Sequence, residues 1–131
     1  NGRIVENLRD MPPAGKWKEY PCCVVVASNE MIAKNPEAVR DFVAFINAAG
    51  DWANANREKA GTVAASWIGL PPELGQHTSL RFVRSFSPSW LEGAAGYLEV
   101  LGGSGYFTGS LKDKNLDQAK DTLLDTRFVS R

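Results

Sequence analysis

A single apolar run dominates the reading of this sequence: Pro21-Cys22-Cys23-Val24-Val25-Val26-Ala27-Ser28. Three consecutive valines after two cysteines are rich in strand formers. The run does not alternate apolar with polar residues, and a continuous apolar strand is the pattern of a sheet covered on both faces. Strands need neighbours, and the chain offers few other convincing ones. The pair Ile4-Val5 reads as no more than the end of a strand. A central strand without its sheet leaves backbone donors and acceptors unpaired, which is costly. The expectation is an interior ribbon whose partners mostly belong to polypeptide outside these 131 residues. A ribbon coiled into a helix, or lying wet and isolated on the outside, would overturn it.

Most of the remaining sequence has helical signals. Asn35 stands at an N-cap, Pro36 at the first helical position and Glu37 near the positive helix end. Val39, Phe42, Val43, Ile46, Ala49 and Ala53 recur at three- and four-residue steps, and Phe45 and Trp52 widen the arc. This pattern predicts a helix buried over most of its girth. Asn56 can cap a second helix from Arg57 to about Ile68, with Ala60, Val63, Ala64 and Trp67 as its apolar face. Gly69 stops it and Pro71-Pro72 prevents continuation. Pro72 to about Leu80 reads as a short helix, and Ser87-Pro88 opens another with Leu91, Ala94, Ala95, Leu98 and Leu101 on one side. A last short helix runs from about Leu116 to Leu124, and Glu30 to Lys34 reads as a further helical turn. Met11 to Gly15 is a breaker cluster and the best hinge-like lead-in.

Composition removes several function classes. Fifteen basic residues balance fifteen acidic ones, so the cationic footprint of a nucleic-acid binder is absent. A hydrophobic share of 44% and a charged share of 23% are globular values. No apolar run approaches the ~18 residues of a membrane span. Two cysteines and one histidine cannot supply the four ligands of a Cys/His zinc site. The chain starts at Asn1 and shows no charged start followed by an apolar core. The expectation is therefore a processed, truncated or excised piece without a signal peptide.

Few residues carry a chemical signal. Gly102-Gly103-Ser104-Gly105 follows a helix rather than opening one, so it reads as a helix stop and not a phosphate loop. His77 lies in a polar stretch and reads as a surface histidine. Trp52, Trp67 and Trp90 fall on or near helix faces and read as core, whereas Trp17 lies outside the helices. Asp113, Asp117, Asp121 and Asp125 step by four and mark one solvated face with a lead-in. Cys22 and Cys23 are adjacent, which disfavours a mutual disulfide, so both read as reduced. Packing as small hydrophobes is the expectation for them, with a nucleophile conceivable only beside a base.

The order of these pieces is informative. Pro-Cys-Cys-Val-Val-Val is followed by Ser28-Asn29-Glu30-Met31-Ile32-Ala33-Lys34-Asn35-Pro36-Glu37-Ala38-Val39. A long helix then ends in Asp51-Trp52-Ala53-Asn54-Ala55-Asn56, and Ala64-Ala65-Ser66-Trp67-Ile68-Gly69-Leu70 leads into Pro71-Pro72-Glu73. With the tail Thr122 to Val129, this resembles the C-terminal part of substrate-binding proteins of ABC importers for nitrate, sulfonate, taurine and thiamine-precursor pyrimidines. The resemblance covers residues 20–131, and Pro21 to Val39 is its most specific piece.

The resemblance implies an α/β class: the helix-rich C-terminal portion of a type 2 periplasmic-binding fold with two lobes. It implies one central strand plus four to five helices. Residues 1–19 would be the hinge-proximal lead-in, and 20–131 the return into one lobe. The implied function is non-catalytic capture of a small solute by lobe closure, with no cofactor. The implied setting is periplasmic or anchored outside the cytoplasm, beside an ABC permease in the membrane. Tyr20, Cys22 and Cys23 would be the residues nearest the ligand cleft. A related branch forms the thiamine pyrimidine as an enzyme and has a cysteine-rich run at a comparable place. That is one alternative. The other is a helical interaction module whose ribbon pairs across a homodimer.

Overall fold

The computed structural model describes residues 3, 5–18, 20–77 and 80–129, without the side chains of residues 8, 76 and 77. Its α-helices are α1 (Asn29–Lys34), α2 (Pro36–Ala55), α3 (Arg57–Trp67), α4 (Pro88–Gly103) and α5 (Leu116–Leu123). Short 3₁₀ turns occupy Leu8–Asp10, Pro72–His77, Gly109–Leu111 and Thr126–Phe128. Among the described residues no β-strand is formed, so the chain is helix-rich and the expected α/β class is not what these residues build. The chain divides into two units. The first is Asn1–Val25 with Phe86–Arg127, and the second is Val26–Ser85 with Phe128–Arg131.

The second unit is held by backbone approach at two glycines. Gly61 on α3 and Gly75 in the following 3₁₀ turn face each other so closely that a Cβ on Gly61 would lie 2.1 Å from the Gly75 carbonyl oxygen. The reciprocal Cβ on Gly75 would lie 2.1 Å from the Gly61 oxygen. Gly69 makes the reversal between them at φ +76°, a conformation that L side chains rarely adopt. Segment 80–85 is fixed to α2 by side chains. The Asn54 amide donates to the Phe82 carbonyl at 2.8 Å and accepts from the Phe82 N–H at 3.0 Å. Arg84 forms an ion pair with Asp51, and the Phe82 ring lies over Gly50, which is buried.

In the first unit α4 carries the packing. Ser87 accepts from the Trp90 N–H at 3.1 Å, capping the helix start as the Ser-Pro signal implied. Trp90, Gly93 and Leu98 are buried, and Phe86 lies against Trp90 with ring centroids 4.7 Å apart. α5 begins in a complete capping box. Asn115 accepts from the Gln118 N–H at 3.0 Å, and the Gln118 side chain accepts from the Asn115 N–H at 3.1 Å. Ala119 is its buried residue.

Several expectations are corrected here. The ribbon is neither buried nor paired: Val24, Val25 and Val26 are 59%, 49% and 82% exposed. With no second strand among the described residues, there is nothing to cover its faces. α2 is not buried over its girth either. Val39 and Gly50 are its buried residues, while Phe42, Phe45 and Trp52 are exposed. On α3 the buried positions are Gly61 and Ala65, because that face meets the 3₁₀ turn; Val63 and Trp67 are exposed. Of the three helix tryptophans read as core, Trp90 alone is buried. Pro72–His77 is a 3₁₀ turn rather than an α-helix reaching Leu80. Asn35 and Asn56 hold N-cap positions without a side-chain cap bond. The Asn56 amide instead donates back to the Trp52 carbonyl at 2.9 Å, closing α2. The side chain of His77 and the backbone of Ile4 lie outside the described residues.

Candidate functional site

The residues expected at a ligand cleft belong to the first unit. The lead-in Met11–Gly15 turns at Gly15, φ +83°. The Trp17 indole N–H then donates to the Pro12 carbonyl at 3.0 Å. That bond holds the indole 4.8 Å from the Tyr20 ring, which in turn lies 5.2 Å from Tyr97 of α4. Both pairs are tilted, the arrangement that aromatic quadrupoles favour. The Lys16 ammonium sits 5.2 Å from the Trp17 ring centroid, within cation–π range.

Tyr20 and Pro21 fit onto α4 because two glycines leave room. A Cβ on Gly93 would lie 2.8 Å from Pro21 Cδ and 3.0 Å from Tyr20 Cα. A Cβ on Gly96 would collide with the Tyr20 hydroxyl and lie 2.8 Å from its ring carbon Cζ. The spacing of three places Gly93 and Gly96 on one helix face. Sequence reasoning concentrated on the Leu and Ala side of α4 and missed this seat. The Gly-x-x-Gly spacing opposite a Tyr-Pro pair was the signal available.

Beyond Pro21 the chain leaves the seat. Cys22 and Cys23 are free thiols and exposed, which corrects the expectation that they pack as buried hydrophobes. Among the described residues no strand covers them. Their sulfurs are 3.6 Å apart, with the Cys23 thiol donating to Cys22. That bond favours the protonated form, and the charge on Cys22 opposes a second thiolate beside it, so the Cys23 thiol is pushed above its ordinary value of 9.0. An activated nucleophile requires the opposite shift. Tyr20 is therefore committed to packing, while the two thiols are presented outward.

A cleft of about 410 Å³ lies elsewhere in this unit, between the end of α4 and the start of α5. Glu99, Asp113, Lys114 and Asn115 supply its polar wall, and Ala95, Leu98 and Leu116 its apolar one. Its two carboxylates and the negative end of α4 outweigh its one lysine, so the wall is net acidic. Asp117 and Asp121 of α5 are exposed as the four-residue spacing implied. Asp125 instead pairs with Arg127, whose Nε donates at 2.9 Å and holds the carboxyl below its ordinary value of 3.8.

The NMT1-like family model matches residues 2–69, just over half of the chain. The chain thus falls in the class of ABC-importer solute binders, and it belongs to the NMT1-like family, the nitrate-, sulfonate- and taurine-binding group. Proteins of that group are in general non-catalytic and extracytoplasmic, and they bind small molecules for an ABC permease. The match begins before residue 20 and ends at residue 69. It therefore takes in the lead-in that the resemblance set apart, and it stops short of α4 and α5. No curated protein and no solved structure matches the chain. Among the described residues, no helix is long and apolar enough to cross a membrane.

Proposed function

We propose that this chain is the C-terminal part of the solute-binding component of an ABC importer. It takes part in capturing a nitrate-, sulfonate-, taurine- or pyrimidine-precursor-like solute by lobe closure, without chemistry. The family match over residues 2–69 carries this reading. The exposed apolar faces of α2 and α3 support it, because they are unfinished packing surfaces of the kind one lobe of a two-lobe fold covers. The wet, unpaired ribbon counts against a sheet strand in this chain alone, so in this reading the Val24–Ser28 segment becomes a strand of a type 2 periplasmic-binding sheet only when further polypeptide pairs with it. In the same reading Cys22 and Cys23 border the ligand cleft of the two-lobe fold, and Tyr20, packed on α4, anchors them there.

The test is calorimetric unfolding of the protein encoded by the whole reading frame, with nitrate, taurine, an alkanesulfonate or a hydroxymethylpyrimidine added. A solute at about 100 times its Kd adds roughly 2.7 kcal/mol to stability. The expected result is stabilisation by one solute, recovered chemically unchanged. Conversion of that solute to product, or no stabilisation by any of the four, overturns the reading. The exposed valines favour a second reading for this chain alone, pairing of the ribbon across a homodimer. Light scattering that shows a clean monomer refutes that second reading.

A further inference from the structure

In a pleated strand, successive side chains leave on opposite faces. Cys22 and Cys23 do not follow that rule, since their sulfurs converge to 3.6 Å and both are exposed. The pair is also held at one end. Pro21 and Tyr20, immediately before it, are seated against Gly93 and Gly96 of α4. Two thiols are thus presented together from an anchored segment, which lowers the ordering cost of binding both to one atom.

The spacing selects among soft centres. A centre bonded to both sulfurs at about 2.3 Å, the usual zinc–thiolate length, would see them about 103° apart at the observed separation. A linear two-coordinate ion needs sulfurs about 4.6 Å apart on opposite sides at that bond length. Tetrahedral zinc needs four donors, and no group of three or more His, Cys, Asp or Glu side chains gathers among the described residues. A trivalent arsenic atom that keeps one carbon or oxygen substituent needs two thiols at roughly this angle and nothing more. Direct oxidation of the pair is hindered. Neighbouring Cα atoms are about 3.8 Å apart, short of the ~4.4–6.8 Å that disulfides require. The dithiol form is therefore favoured where better-spaced cysteine pairs would be oxidised.

We propose that Cys22 and Cys23 form a chelating site for trivalent arsenic species, both sulfurs bonding one arsenic atom. With an organoarsenic oxide, two S–H bonds and the As–O link break and two As–S bonds form. The oxygen and both protons leave as one water. Arsenic stays trivalent and neither sulfur is oxidised, so no further reactant is needed. The proposal is independent of solute capture, and its failure leaves that reading untouched.

The probe is phenylarsine oxide added to the reduced protein, with intact mass as the readout. The expected result is one arsenic per chain, retained in excess glutathione and released by dithiothreitol. Cys22→Ser and Cys23→Ser should each bind about a hundredfold more weakly, the lower end of the gain from intramolecular second contacts. Both positions are exposed, and circular dichroism checks that the variants keep their helices. A second measurement needs no variant: bound probe should protect both cysteines of the same peptide from iodoacetamide. Either single variant retaining the probe like the parent, stripping by glutathione, or alkylation of one thiol in the loaded protein overturns the proposal.

Discussion

Replacing Gly61 with alanine sets two effects of opposite sign against each other. Alanine is better than glycine in a helix interior by about 1 kcal/mol, so propensity alone stabilises α3. Packing says otherwise. The new Cβ would lie 2.1 Å from the Gly75 oxygen and 2.6 Å from its carbonyl carbon, where ordinary contact begins at 3.4 Å. Both atoms are backbone, so no rotamer change relieves the clash. α3 and the Pro72–His77 turn would have to separate by about an ångström across their shared face. Overpacking costs ~1–3 kcal/mol where side chains can yield, and a backbone clash belongs at the top of that range. The net is destabilisation of about 2 kcal/mol. Because the chain has two units, a single global midpoint is the wrong readout. Native-state hydrogen exchange resolves them. Amide protection in α3 should fall about thirtyfold, at a factor of ten per 1.4 kcal/mol. Gly103→Ala is the control, since nothing lies within 4 Å of its Cβ position; its helix end should gain slightly. Protection in α3 that is unchanged or raised in Gly61→Ala refutes the close backbone approach.

Four further outcomes are expected. Gly96→Ala displaces the Tyr20 ring from α4 and should weaken the near-ultraviolet dichroism of the Trp17–Tyr20–Tyr97 cluster; an unaltered spectrum counts against the seat. Asn54→Ala removes both bonds to the Phe82 backbone and should cost about 1–2 kcal/mol in the second unit, read as faster exchange at the Phe82 amide. Cys22→Ala removes the acceptor and the charge that raise the Cys23 thiol, so Cys23 alkylation near pH 9 should speed up, measured on its peptide; a slower rate contradicts the assigned cause. Asp125 has a lowered folded-state pKa, so its contribution to stability is complete above the ordinary 3.8 and is lost as pH falls through the lowered value. Arg127→Gln should move the Asp125 carboxyl titration, followed by nuclear magnetic resonance, back up toward 3.8.

Helix boundaries were largely legible because they are local. Pro36 and Ser87-Pro88 act within one turn at the starts of α2 and α4, and Gly69 lies just past the end of α3. Burial was not legible in the same way. Periodicity shows which face is apolar, not whether anything covers it. Phe42, Phe45, Trp52 and Trp67 have core spacing but no cover within their unit. The seat for Tyr20 is barely legible in the sequence because it depends on glycine, whose contribution is the missing side chain. The ribbon showed the reverse limit: β-branched composition speaks for extended backbone, yet pairing is a property of two segments. At Tyr20, Cys22 and Cys23 the sequence singled out the right stretch, but the geometry separates a packed ring from two outward thiols.

The open edge at Val24 to Val26 has a practical consequence. Three exposed β-branched side chains in a row, with no strand partner among the described residues, have the composition of segments on which further chains stack in register. Concentrated samples of these 131 residues are expected to raise thioflavin T fluorescence, and a flat signal would refute this. A lysine in place of Val25 is the gatekeeping substitution that removes the nucleus while leaving the helices intact.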